Sequence, residues 1–204
     1  MSTLIQPSSS LIEVGCDEVG RGCLSHEVVA AACIMPSDII YPEFIKDSKK
    51  LSEKMRNKAE TYIKTHAIGW AIGIASIDEI YRLNILNASM LAMNRALEKL
   101  YETVQFQHIY VDGPHFRPEF NKVPHTCVVQ GDSKYICIAA ASILAKCARD
   151  KIVYDSVLAH PELAQYDFTK HKGYGTPAHL RALKTYGVTE FHRKTFAPVA
   201  ALLR

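Results

Sequence analysis

An α/β layered fold is predicted by three features of the sequence. Short apolar runs of strand character alternate along the chain with longer stretches of helical spacing. Three of those runs stop at carboxylates beside glycine, the pattern of strands that deliver side chains to one edge of a layered sheet. No internal repeat or low-complexity tract points to a solenoid or a disordered chain. The 204 residues suit one domain, or a domain with a small appendage, and can bury a full core.

Residues 11–16 and 28–35 ("VVAAACIM") are apolar strands with a turn-rich loop between them. "DSKKLSEKMRNKAETYIKTH" opens as a loop, and Ser52 is suited to cap a helix running to about His66. "AIGWAIGIAS" alternates weakly and reads as a strand. "SIDEIYRLNILNASMLAMNRALEKLYETV" is the longest helical stretch, with a break predicted near Asn84. Its apolar residues Ile85, Met90, Met93, Leu97 and Leu100 follow helical spacing, so the methionines are core filler rather than ligands.

"FQHIYVDG" is a strand that stops at Asp112-Gly113, and "TCVVQGD" one that stops at Gly131-Asp132. "ICIAAASILAKCARDKIVYDSVLAH" is a helix with an Ala-rich, close-packing face. A loop rich in Lys, His and Gly follows, then a short helix after Pro177 and an end punctuated by Pro198.

Composition narrows the function class. At 48% hydrophobic and 22% charged the chain has ordinary globular usage, and a net charge of +3 does not by itself announce a polyanion partner. Charge is uneven, however. Residues 165–204 hold seven Lys or Arg against two acids, which fits a polyanion contact as well as a solvated face. The six cysteines show no C-x-x-C pair, which argues against zinc. No secretory leader is legible at "MSTLIQPSSS", and no apolar run approaches the roughly 18 residues that span a bilayer. A cytoplasmic protein without membrane contact is the expectation.

Singly, each strand-end acid has a plain explanation: Asp112-Gly113 as a turn, Asp132 as a helix cap, Asp17-Glu18 as solvated surface. Together the four point to a shared site. Clustered carboxylates need compensating cations, and Mg²⁺ favours carboxylate plus phosphate oxygens. Two ions about 3.5–4 Å apart can serve phosphodiester hydrolysis.

Six motifs in register sharpen this reading. "GCDEVGRG", "DSKKLSEKMR", "VDG", "GDSKYICIAAASILAKCARD", "HKGYGT" and "FHRKTFAPV" together resemble bacterial-type ribonuclease HII, a type 2 ribonuclease H, over about residues 12–199. The resemblance implies a ribonuclease H-like fold: a mixed five-stranded sheet flanked by helices, with a small helical C-terminal region. It divides the chain into a flexible segment (1–10), a catalytic core (11–160) and a helical region packed on that core (161–204).

It also implies an endoribonuclease acting on RNA–DNA hybrids and 5′ of single ribonucleotides embedded in duplex DNA, leaving a 3′-hydroxyl and a 5′-phosphate. Asp17, Glu18, Asp112 and Asp132 would be catalytic and hold Mg²⁺ or Mn²⁺, two ions during catalysis. Gly20, Arg21, Gly22 and Tyr174 would read the ribose 2′-hydroxyl, and Lys49, Ser142, Lys146 and Lys172 would contact the substrate backbone. Glycine permits close backbone approach, Arg can clamp a phosphate, and Tyr offers a ring and a hydroxyl. Asp150 is read as helix surface, and His171 and His192 as structural.

Where the family continues "GRGPLAGPVVAAA", this chain has "GRGCLSHEVVAAA". Cys23 replaces Pro, and His26-Glu27 replaces Gly-Pro, so the loop after the acids is expected to be less stiff. The short stretch after "FAPV" leads us to expect no sliding-clamp tail motif, and a monomer is the family default. The competing readings are another ribonuclease H-like nuclease, type 3 above all, and a non-catalytic nucleic-acid-binding relative. Type 3 lacks the Gly-Arg-Gly form and usually carries an extra N-terminal domain, and a non-catalytic relative would be expected to lack an acid.

Overall fold

The computed structural model describes residues 4–46, 48–119 and 123–203. Asp47 of the "DSKK" motif, the first three residues of the 1–10 segment and Arg204 lie outside the described residues. Five strands form one mixed sheet in the order β3-β2-β1-β4-β5. They are β1 (Glu13–Val19), β2 (Val28–Ile34), β3 (Gly69–Ala75), β4 (His108–Asp112) and β5 (His125–Val128). β1 pairs antiparallel with β2 and parallel with β4; β2 and β3 are antiparallel, β4 and β5 parallel. The first strand extends through both acids, so Asp17 and Glu18 are strand residues rather than loop residues.

The helices of the core are α1 (Glu53–His66), α2 (Ile77–Tyr101) and α3 (Ile136–Ala159). Ser52 caps α1 by accepting from the Met55 amide at 3.3 Å. Ser76 and Glu79 form a reciprocal capping box at the start of α2. At Asn84 the helix is interrupted, with φ 65° and ψ 167°. The Asn84 carboxamide oxygen then accepts from the amides of Leu86 and Asn87, capping the helix as it restarts.

Two apolar layers sandwich the sheet. Val14, Cys16 and Val111 pack with Ala92, Ala96 and Leu97 of α2, while Ala31 and Cys33 pack with Ala140, Ile143 and Leu144 of α3. Gly15 marks a close approach to α3: a Cβ there would lie 2.2 Å from the Cys137 carbonyl carbon. Strand pleating therefore directs Asp17 to the α3 side and Glu18 to the α2 side.

Beyond α3, a helical turn (Pro161–Tyr166) leads to α4 (Phe168–His171), α5 (Pro177–Tyr186) and α6 (Ala197–Ala200). Leu24 of the loop after β1 packs with Leu183 and Val199, and single bridges pair Cys23 with Tyr174 and Ser25 with His192. The loop 20–27 is thus wedged between core and C-terminal residues. His26, His179 and His192 are buried beside it. His179 Nδ1 meets the Tyr174 carbonyl at 3.0 Å, so it carries the proton, and Nε2 is left to accept. His192 Nδ1 accepts from the Thr189 amide at 3.0 Å, so its Nε2 donates to His179 Nε2 at 3.2 Å. Both rings are neutral in this arrangement.

Candidate active site

β1, β4 and the tight turn after β5 bring the four acids to one end of the sheet. Asp17 is 5% exposed, and its Oδ1 accepts the Glu18 amide at 2.7 Å. Burial, then the charges of Glu18 and Asp112, push its carboxyl well above the usual range, and a hydrogen bond from Ser142 pulls it back. Glu18 is raised to about 7, chiefly by burial, with Arg21 opposing. One of its oxygens, Oε1, lies 3.2 Å from Arg21 Nη1, while Oε2 is buried with no hydrogen-bond partner among the described residues.

Asp112 closes β4, and its Oδ1 accepts the Gly131 amide at 2.6 Å. Asp132 sits in the turn Gly131–Ser133, buried, and adds to the charge felt by Asp17. α3 starts at Ile136 behind Tyr135, so Asp132 is not its cap. No three His, Cys, Asp or Glu side chains among the described residues converge as a ready-made ligand sphere. The acids stand within Coulombic reach of one another instead. Their donor set, all hard oxygen with one buried oxygen unpartnered, fits a divalent cation.

The Gly-Arg-Gly segment is held from behind. Gly20 has φ +97°, and a Cβ there would fall 2.3 Å from Arg149 Nε. Arg193, 1% exposed, donates to the carbonyls of Gly20 (2.7 Å), Arg21 (3.1 Å), His26 (2.8 Å) and Glu27 (3.0 Å). Arg149, fully buried, donates to those of Ser25, Glu27 and Lys172. In a planar trans peptide the N–H opposes the C=O. With the Gly20 and Arg21 carbonyls turned inward to Arg193, the amides of Arg21 and Gly22 face outward.

This bonding reverses the expectation of a looser loop. His26 adopts φ 63° where the family has glycine, a conformation His tolerates better than most side chains. It is fixed by Ser25 at 2.9 Å and Ser156 at 2.8 Å, with the Phe168 and Phe191 rings against it. Hydrogen bonds and packing replace proline stiffness here.

The other expected contacts divide. Tyr174 is 38% exposed, and its hydroxyl shares a hydrogen bond with the Cys23 thiol. Lys49 lies exposed in the turn Ser48–Lys50. Ser142 is buried and bonded to Asp17 and to the Ser48 hydroxyl (3.0 Å), so it steadies an acid rather than standing open to a phosphate. Lys146 lies 2.7 Å from Asp150 and 5.8 Å from the Tyr174 ring centroid.

Lys172 departs most from expectation. It is 8% exposed, donates to the Thr169 carbonyl at 2.6 Å and lies over the Tyr154 ring at 3.5 Å. With its ammonium turned inward, it packs the C-terminal residues against α3. Asp150 is a second correction: it is buried and ion-paired, not helix surface.

The reading from sequence also passed over Arg149 and Arg193. The available signal was an arginine inside an Ala-rich helix, and a second between two aromatic residues near the chain end.

Comparison with known proteins bears on the family and the fold. The family model described as Ribonuclease HII matches residues 14–199. A Ribonuclease HII of Parabacteroides distasonis is 50% identical over 185 residues, covering 91% of this chain and 89% of that protein. The ribonuclease H2 of Pyrococcus horikoshii superimposes with a TM-score of 0.73 at 21% identity, over 93% of this chain and 96% of that one. Bst-RNase HIII in complex with Mn²⁺ gives 0.68 at 20% identity, covering 95% of this chain but 70% of that one. Those two likenesses speak to the fold.

Proposed function

The chain belongs to the ribonuclease HII family, and from that premise we propose that it is an endoribonuclease which hydrolyses RNA in RNA–DNA hybrids and cuts 5′ of single ribonucleotides in duplex DNA. Water adds to phosphorus and the bond to the 3′-oxygen breaks, giving a 3′-hydroxyl and a 5′-phosphate. Asp17, Glu18, Asp112 and Asp132 would hold two Mg²⁺ or Mn²⁺ ions. Such ions supply positive charge at the attacking and leaving oxygens.

The observation that carries the reading is the mutual charge of the four acids, with Asp17 and Glu18 both driven toward protonation. A cluster costly on its own becomes favourable around divalent cations. Ser142 fixes the Asp17 carboxylate, and Arg21 keeps Glu18 oriented. The outward amides of Arg21 and Gly22 suit a ribose 2′-hydroxyl, the group that separates RNA from DNA. Tyr174 would pack on the same sugar, with Lys49 and Lys146 at the phosphates.

The same proposal assigns residues 11–160 to the catalytic core and 161–204 to a helical region packed on that core, in a cytoplasmic monomer serving ribonucleotide repair. No helix among the described residues is long and apolar enough to cross a membrane. The test is a duplex DNA carrying one ribonucleotide, incubated with Mg²⁺ or Mn²⁺, with both product ends mapped. Cleavage 5′ of the ribonucleotide is expected. An uncut strand, where a known type 2 enzyme cuts, would overturn the reading.

A further inference from the structure

Ser142, Lys146 and Asp150 recur every four residues, so they stack on one face of α3. That face runs from a candidate metal acid to the candidate ribose reader. Ser142 bonds Asp17, and Lys146 stands beside the Tyr174 ring. Asp150, at the far end, is 8% exposed. Its Oδ1 lies 2.7 Å from Lys146 Nζ, and its Oδ2 lies 3.9 Å from Arg56 Nη2. Arg56 Nη1 in turn donates to the carbonyls of Ser48 (2.8 Å) and Leu51 (3.0 Å), the two ends of the turn that carries Lys49 and Lys50.

A buried carboxylate is retained at a cost unless its partners compensate. Here the partners are two cations on different elements, and each leads to a segment assigned to the substrate. Without the carboxylate, Lys146 and Arg56 would repel each other, and the flexible lysine stem would leave Tyr174. Asp150 is paired on both oxygens and lies nearly four turns along α3 from its start at Ile136, at about 3.6 residues per turn, so a part in the chemistry is not its role.

We propose that Asp150 is a positioning residue for substrate recognition: it fixes Lys146 beside Tyr174 and, through Arg56, fixes the Ser48–Lys50 turn, so that both cationic segments meet the nucleic-acid backbone in one geometry. This rests on the reading of Lys146 and Lys49 as substrate contacts.

The test is steady-state kinetics and salt-dependent binding on the single-ribonucleotide duplex, with thermal melting alongside. Asp150→Asn is expected to raise KM about five- to tenfold with kcat within about twofold, and to reduce the log–log salt slope of binding by about one phosphate contact. After Lys146→Met, adding Asp150→Asn is expected to change KM by less than about twofold. Arg56→Met releases the turn alone, is expected to raise KM severalfold, and tests the second arm should Asp150→Asn fail to fold. If Lys146→Met leaves KM unchanged, the substrate contact is wrong and the inference falls with it. If Lys146→Met raises KM while folded Asp150→Asn and Arg56→Met do not, the contact stands and only the positioning role is overturned.

Discussion

Asp17 and Tyr174 show what single side chains contribute. Asp17 is buried among like charges, so the fold gains nothing from its negative charge in the absence of metal. Asp17→Asn keeps the shape and removes the repulsion. It should therefore leave melting unchanged or raised while activity falls by more than about a hundredfold, the scale of losing one electrostatic element of a site. Asp132→Asn should behave alike. A near-wild-type rate in either variant would show that the metal assignment is wrong. Tyr174 is different, being half open and bonded through its hydroxyl to Cys23. Tyr174→Ala removes the ring from beside the sugar. A larger loss is expected on one embedded ribonucleotide, where a single 2′-hydroxyl must be found, than on a long hybrid with many registers. Equal losses on the two substrates would refute a junction-reading role.

At the level of elements, α2 is two helices welded at Asn84. The residue combines φ 65° and ψ 167°, a region nearly reserved for glycine, with a side-chain cap for the second half. Asn84→Ala keeps the strained backbone and loses the cap, whereas Asn84→Gly loses the cap but relieves the strain. The Ala variant should be the less stable of the two by about 1–2 kcal/mol in urea titrations. Equal stability would mean the backbone at Asn84 is not strained.

This break was legible in the sequence, as were the Ser52 cap and the strands that carry Asp17, Glu18 and Asp112, because caps and strand ends are local chemistry; Asp132 instead lies in the turn after β5. What holds the Gly-Arg-Gly loop was not legible. Arg149 reaches Glu27 across 122 positions, and Arg193 reaches Gly20 across 173. No local pattern announces which buried carbonyl a distant guanidinium will find. Lys172 misled for the same reason: a lysine beside glycine in a loop looks solvated until Tyr154 and the Thr169 carbonyl are brought to it.

Across the whole molecule, two buried clusters give stability opposite pH dependences. Burial, reinforced by Arg149 and Arg193, lowers His26 to about 3, and burial lowers His179 and His192 to about 4. His171 stacks on His179 from the same side. Below the ordinary histidine value near 6.5 the unfolded chain binds protons that the folded cluster refuses, so stability falls as pH drops through 6.5 toward 4. Asp17 and Glu18 act the other way. Their folded values are raised, so the native state binds more protons than the unfolded chain, and in metal-free buffer stability falls as pH rises through about 7. Glu79, held at about 2 mainly by Arg95, stabilises fully above about 4.5 and loses that stabilisation only below it, which leaves the interval clear. Wild-type protein in chelator should thus show a muted pH response, because the slopes oppose. The double variant Asp17→Asn/Glu18→Gln exposes the histidine slope, up to about 1.4 kcal/mol per pH unit for each ring. Its urea midpoint should fall steadily from pH 6.5 to 4.5, and its advantage over wild type should grow as pH rises from about 4.5 to about 7. A flat midpoint in the double variant would show that the histidines tying the C-terminal residues to the loop are not held neutral. An advantage that does not grow with pH would show that burial and mutual charge do not drive the two acids toward protonation.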